Sequence, residues 1–146
     1  MQVSAVGLSL IRRFEGCSLV PYLCPAHYWT IGYGHVLTGA TPQHHPPITM
    51  ADAVRLLESD ARLAAAAVSR LINVPLSQNQ FDALASFTFN LGAAALQRAT
   101  LRRVVNRGDH AQVPTELMRW VWGGGQQLPG LIARRAAEGA LYGRID

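Results

Sequence analysis

The sequence predicts an α+β fold, mostly helical, with its strands gathered in one small N-terminal region. Three observations carry this. Helical periodicity with capping signals recurs from Thr49 to the end of the chain. Between Cys17 and Pro47 the composition switches to Gly, Pro, Thr and aromatic residues, which suits short strands and tight turns. The 146 residues, 49% hydrophobic and 15% charged, are enough for one domain with a genuine core. Strands segregated from helices in this way make an α+β chain.

Each element has a local reason. Val3, Val6, Leu10, Ile11 and Phe14 fall on one face of a first helix, which should end near Glu15-Gly16, because glycine favours the position just past a helix end. Tyr28-Trp-Thr-Ile-Gly-Tyr-Gly34 carries strand formers punctuated by glycine and predicts a small, twisted, mostly antiparallel sheet. Pro42-Gln-His-His-Pro-Pro47 reads as a loop. Thr49 and Asp52 stand at capping-box spacing before a long helix to about Ile72, with Val54, Leu57, Ala61, Ala64, Val68 and Leu71 as its buried stripe and Pro75 beyond it. Ser77-Gln-Asn-Gln80 is a second capping box, flanked by the staple residues Leu76 and Phe81, and Gly92 ends that helix. Short helices follow at Ala93–Arg98 and Thr100–Asn106, the latter closed by Gly108, and Asp109 is placed to cap the next. Pro114 forces that next helix to bend or to start late. Trp120 to Gly125 reads as a loop, and Pro129 opens a last helix through about Tyr142. The organisation expected is a single domain over 1–146. A small lobe covers about 15–50, a connecting helix about 49–72, and a helical lobe about 76–146 together with the first helix.

Composition narrows the function. No apolar run approaches the ~18 residues of a membrane span, and Val3–Ile11, followed at once by Arg12 and Arg13, reads as neither a span nor a signal peptide. The net charge is +4, and all 13 basic residues are arginine. That balance favours acidic partners: nucleic acid, an anionic membrane face or an anionic cell-wall polymer. No basic run alternates with stacking aromatics, so nucleic acid is not expected. Two cysteines, Cys17 and Cys24, are too few for a disulfide scaffold, and no Cys or His spacing suits zinc; neither a metal nor a cofactor is expected.

Glu15 is the only carboxylate between Met1 and Ala51. It falls at the last turn of the first helix, where the helix dipole disfavours an anion, so it needs a partner or a retained proton. Cys24 follows nine residues later and Thr30 six beyond that. Glu15, Cys24 and Thr30, followed by Ile31-Gly-Tyr-Gly-His35, resemble the active-site segment of bacteriophage-type lysozymes, the endolysins of glycoside hydrolase family 24. Leu76 to Gly92 resembles that family's core helix, and Gly123 to Glu138 resembles its C-terminal segment. Three motifs in the family's order reach nearly the whole chain.

The resemblance implies a lysozyme-like fold and cleavage of the β-1,4 bond between N-acetylmuramic acid and N-acetylglucosamine in peptidoglycan. By position, Glu15 takes the role of general acid, while Cys24 and Thr30 serve the attacking water. Splitting a glycosidic bond needs a proton for the leaving oxygen and, if the configuration inverts, a base for a water on the far face of the sugar. A cysteine is such a base only as thiolate, and a free thiol titrates near pH ~8.5 against ~3.9 for aspartate. A Cys24→Asp variant is therefore expected to keep activity to lower pH.

The resemblance also implies a structural ion pair between His35 and Asp60. It sets Asn90 and Gly92 at the substrate, where an amide suits sugar hydroxyl and N-acetyl groups. Among the tryptophans, Trp29, Trp120 and Trp122 are candidates to stack on sugar rings, with Trp29 in the strand region the one assigned to substrate. Arg134 or Arg135 could reach Glu15 or the peptide carboxylates, the other lying on an exposed helix face. A bridge between Cys17 and Cys24 would block the thiol.

The partner expected is the glycan strand of peptidoglycan, bound by a monomer without stable membrane insertion. The family reading places the chain in the host bacterial cytoplasm, reaching the periplasmic wall after holin-type release. Two alternatives remain open. A lytic transglycosylase would use Glu15 alone, and a non-catalytic peptidoglycan-binding or scaffold domain would use none of these residues chemically.

Overall fold

In the computed structural model, residues 1–145 are described. The chain divides into two compact units. One comprises residues 1–11 and 61–146, the other 12–60. Among the described residues no helix is long and apolar enough to cross a membrane.

The smaller unit holds the strands. Helix α1 (Ala5–Glu15) ends in it, at Gly16 with φ +64°, the left-handed value that glycine adopts freely. Strands β1 (Ser18–Leu23), β2 (Trp29–Gly32) and β3 (His35–Val36) form one antiparallel sheet in the order β1-β2-β3. Tyr22 pairs with Thr30 and Leu23 with Trp29 across the first hairpin; Thr30 pairs with Val36 and Ile31 with His35 across the second. The stretch expected to be a plain loop holds one 3-10 turn, Pro42–His44. Ile31, Tyr33, Ala53 and Leu57 are buried. Helix α2 (Met50–Leu71) starts in this unit on a reciprocal cap. The Asp52 amide donates to Thr49 Oγ1 at 3.1 Å, and the Thr49 amide donates to Asp52 Oδ2 at 3.1 Å.

The larger unit is helical: the end of α2, then α3 (Gln78–Leu91), α4 (Ala93–Arg98), α5 (Thr100–Asn106), α6 (Val113–Leu117) and α7 (Pro129–Tyr142). Helix α3 packs on α7. Asn79 and the unbroken run from Phe81 to Thr88 are all buried, so the helix is enclosed on every side. The capping box at Ser77 forms, with Gln80 N donating to Ser77 Oγ at 3.1 Å and Ser77 N to Gln80 Oε1 at 2.9 Å. Phe81, Leu84, Phe87, Leu96, Leu101, Val105 and Leu117 lead one continuous apolar core.

Three expectations are corrected. Val6 is 47% exposed, while Gly7 is buried, because a Cβ at Gly7 would lie 2.7 Å from the Asp82 carboxyl carbon; the face of α1 is set by that close approach. Asp109 makes no cap; it pairs with Arg107 at 3.1 Å, and a 3-10 turn, His110–Gln112, leads into α6 with Pro114 in its first turn. The segment read as a loop is a short hairpin, β4 (Trp122–Gly123) with β5 (Gln126–Gln127), turned by Gly124 and Gly125 at positive φ. Both cysteines are free, and Cys17 Sγ lies 3.9 Å from Met50 Sδ.

Candidate active site

The strand unit contains Glu15, Cys24, Thr30, His35 and Asp60. Glu15 closes α1, half-buried. Its carboxyl lies against the turn between β2 and β3: a Cβ on Gly34 would stand 2.6 Å from Glu15 Oε2, and Gly34 has φ +77°. Glycine is thus required there twice, by space and by conformation. The last turn of α1 is further held to the same turn by Arg12, whose Nη2 donates to the Tyr33 hydroxyl at 3.1 Å with the guanidinium over the ring at 5.2 Å.

Cys24 sits just past β1, in the five-residue connection to β2. Its amide donates to the Tyr28 carbonyl at 2.9 Å, and the His27 amide donates to the Cys24 carbonyl at 2.8 Å, with His27 itself at φ +66°. The Tyr28 amide is the largest influence lowering the Cys24 thiol below its usual range; the Ala26 amide, the Thr30 hydroxyl and Cys24's own amide help, against a desolvation that raises it.

Thr30 is buried in the central strand, and its hydroxyl donates to the Tyr28 carbonyl at 2.9 Å. A hydroxyl has one proton, so Thr30 gives it either to that carbonyl or to an ionised Cys24.

Tyr22, the cross-strand partner of Thr30, carries no signal in the sequence. Its phenol is pushed up, first by burial and then by the charges of Glu15, Cys24 and Cys17. It shares the electrostatic surroundings of both the acid and the thiol. Nothing in Pro21-Tyr-Leu-Cys24 marks it; the strand register does. His35 Nδ1 and Asp60 Oδ2 stand 2.8 Å apart, 30% and 23% exposed, joining β3 to α2 within this unit. Trp29 opens β2, half-buried, and its carbonyl accepts from the Leu37 amide at 2.8 Å.

Asn90 and Gly92 belong to the helical unit. Asn90 lies in the last turn of α3, and its side-chain oxygen accepts from Arg135 Nη2. Gly92 ends α3 at φ +93°, its amide donating to the Thr88 carbonyl at 2.8 Å. The exposed position expected for Arg134 or Arg135 is not found. Both are buried, at 3% and 0%, around a fully buried Glu138. Arg135 Nη1 lies 3.0 Å from Glu138 Oε1, Arg134 Nε lies 3.4 Å from Oε2, and Ser86 Oγ donates to Oε2 at 2.6 Å. Burial pushes the Glu138 carboxyl up, against the pull of Arg135, Ser86 and Arg134. Trp120 packs edge-on to Phe87, centroids 5.5 Å apart, whereas Trp122 is 58% exposed on β4.

The phage lysozyme family matches residues 12–138. An endolysin of Acyrthosiphon pisum secondary endosymbiont phage 1 is 41% identical over 150 residues, 97% of this chain and 98% of that one. An endolysin of Bacillus phage PZA is 38% identical over 144 residues; the match takes in 97% of this chain and 55% of that relative. Among solved structures, the muramidase domain of SpmX from Asticaccaulis excentricus superposes with a TM-score of 0.89 at 36% identity, over 99% of both chains. The chain belongs to the phage lysozyme family. It is an enzyme of the lysozyme class.

Proposed function

We propose that the chain is an endolysin-type muramidase, hydrolysing the β-1,4 bond between N-acetylmuramic acid and N-acetylglucosamine in peptidoglycan. The observation that carries this reading is the curl around Cys24, in the same unit as Glu15, which closes α1 with its carboxyl against Gly34. Glu15 donates a proton to the leaving glycosidic oxygen. Cys24, as thiolate, takes a proton from a water that attacks the anomeric carbon from the opposite face, and Thr30 orients that water. Backbone amides suit this task, because they stabilise the ionised sulfur without an added cation. Asn90 offers its amide NH₂ to sugar oxygens, its carbonyl oxygen being engaged by Arg135. Gly92, beside it, leaves room for the sugar, and Trp29 offers a face to a ring. His35 and Asp60 pin β3 to α2 and take no part in the chemistry. The wall lies outside the cytoplasm, so the chain works there after release through the inner membrane.

Clearing of outer-membrane-stripped cells by wild type and Glu15→Gln tests the mechanism. The variant is expected to lose roughly 10²–10⁴-fold in rate, the usual contribution of a positioned acid. Equal clearing would overturn the assignment. Mass spectrometry of the released fragments separates hydrolysis from the transglycosylase reading, since the hydrolytic product is heavier by one water. A 1,6-anhydro product would leave Cys24 without a role. Sacculus binding with no released fragments would leave only the scaffold reading.

A further inference from the structure

The net positive charge of the chain lies on one stretch. From Ala61 to Arg107 there are six arginines, Arg62, Arg70, Arg98, Arg102, Arg103 and Arg107, against one carboxylate, Asp82. Asp82 is fully buried, and its oxygens accept from the Ser4 amide and from Gln78. The stretch therefore shows no carboxylate to solvent. Elsewhere seven arginines stand against eight carboxylates.

Hydrogen bonds tie Arg102 to the end of α2. Arg102 Nε donates to the Leu71 carbonyl at 3.0 Å and its Nη1 to the Gln97 carbonyl at 3.2 Å. Asn106 donates to the Leu71 carbonyl at 3.1 Å and accepts from the Asn73 amide at 2.9 Å. The C-terminal end of α2 is thereby tied to α4 and α5, within one unit. Among the described residues, only Arg107 of the six has a carboxylate partner. Favourable placement at helix C-termini explains Arg70, Arg98, Arg103 and Arg107 one at a time. It explains neither Arg62, in the middle of α2, nor the lack of any exposed acid.

The same end of α2 opens on an apolar pocket of about 320 Å³, lined by Val68, Ile72, Val74, Pro75, Leu76 and Phe81 among others. Leu63, directly after Arg62, is 72% exposed. Arg70, in the last turn of α2, and Arg102, bonded to the Leu71 carbonyl, put cations at the helix end that opens on the recess, a pairing that fits a surface anionic outside and apolar beneath. A polysaccharide polyanion would engage the arginines and leave the recess unused.

We propose that this face docks the protein on an anionic phospholipid bilayer, with arginines on the lipid phosphates and the recess against the boundary of the acyl chains. Guanidinium forks match phosphate oxygens two at a time, and the attraction falls off with salt. The surface holds none of the residues given a part in bond cleavage, so it stands apart from the muramidase reading.

The test is co-sedimentation with vesicles of phosphatidylcholine, with and without phosphatidylglycerol, at low and high salt. The expected result is binding only where phosphatidylglycerol is present, lost at high salt. Arg70→Gln/Arg98→Gln/Arg103→Gln should cut partitioning roughly a hundredfold. Arg55→Gln/Arg119→Gln/Arg144→Gln, of equal net charge, should keep it. Equal losses in the two triple variants would overturn the proposal in favour of net charge alone. So would equal binding to neutral vesicles, or arginine-dependent binding to purified sacculi but not to vesicles. Both triple variants should clear isolated sacculi as wild type does, which separates failure here from failure of the muramidase reading. Should the first triple lose its melting transition, Arg98→Gln alone reads the same direction, and no loss of partitioning in it overturns the proposal.

Discussion

The two units treat their acids in opposite ways. In the helical unit Glu138 is fully buried, ringed by Arg134, Arg135 and Ser86, and sealed under the core by Phe87, over which the Arg135 guanidinium sits at 5.2 Å. In the strand unit Glu15 is half-buried at a helix end, and Cys24, the proposed base, sits in a connection closed by backbone hydrogen bonds. Side chains answer the buried acid; the backbone serves the thiol. The first arrangement gives up access for rigidity. The second keeps access and fixes position through glycine and hairpin geometry. Stability and chemistry therefore break at different residues.

The largest expected effect is on stability, in the helical unit. Glu138→Ala leaves two buried guanidiniums without their carboxylate and should cost ~3–5 kcal/mol, the usual result of removing one partner of a buried pair. Thermal or urea unfolding measures it. A loss below ~1 kcal/mol would mean that water reaches the arginines and the cluster is not sealed.

Gly34→Ala attacks the strand unit instead. The new Cβ meets Glu15 Oε2 at 2.6 Å on a backbone at φ +77°. The strain is worth ~1–2 kcal/mol, and the carboxyl must move. Activity on sacculi should fall at least ~10-fold, since a small misplacement of a reacting group is costly. Wild-type rates with only a lowered melting temperature would show that the Glu15 position against the turn is not needed.

The helix ends are legible in the sequence because their signals are local. Ser77 with Gln80 and Thr49 with Asp52 are three residues apart, and the bonds they predict depend on nothing distant. Gly16 and Gly92 terminate helices for the same reason. What the sequence hides depends on long-range partners. Arg134 and Arg135 look like surface residues until Ser86, 48 residues from Arg134, and Asn90 arrive beside them. Gly7 rather than Val6 faces inward because Asp82 lies against it. Tyr22 enters the surroundings of Glu15 and Cys24 through the register of β1 on β2. The strands at Trp122 and Gln126 are two residues each, too short for alternation to register.

The smallest expected effect near neutral pH, and the finest probe of the strand unit, is Cys24→Asp. A base works ionised, so activity rises as pH climbs through the Cys24 pKa, which the Tyr28 amide leads in lowering from the usual thiol range. Aspartate ionises lower still, so the rising limb should move to more acid pH. Thr30→Val pushes the opposite way. It removes the hydroxyl that helps hold the ionised sulfur, so the Cys24 pKa and the rising limb should both go up. A pH–rate profile for each variant reads the two shifts, and titration of the Cys24 thiolate by its ultraviolet absorbance in a Cys17→Ser background checks that the limb and the sulfur move together. If all three profiles overlay while the thiolate titration shifts, the sulfur ionises without serving the attacking water, and Glu15 acts without a base.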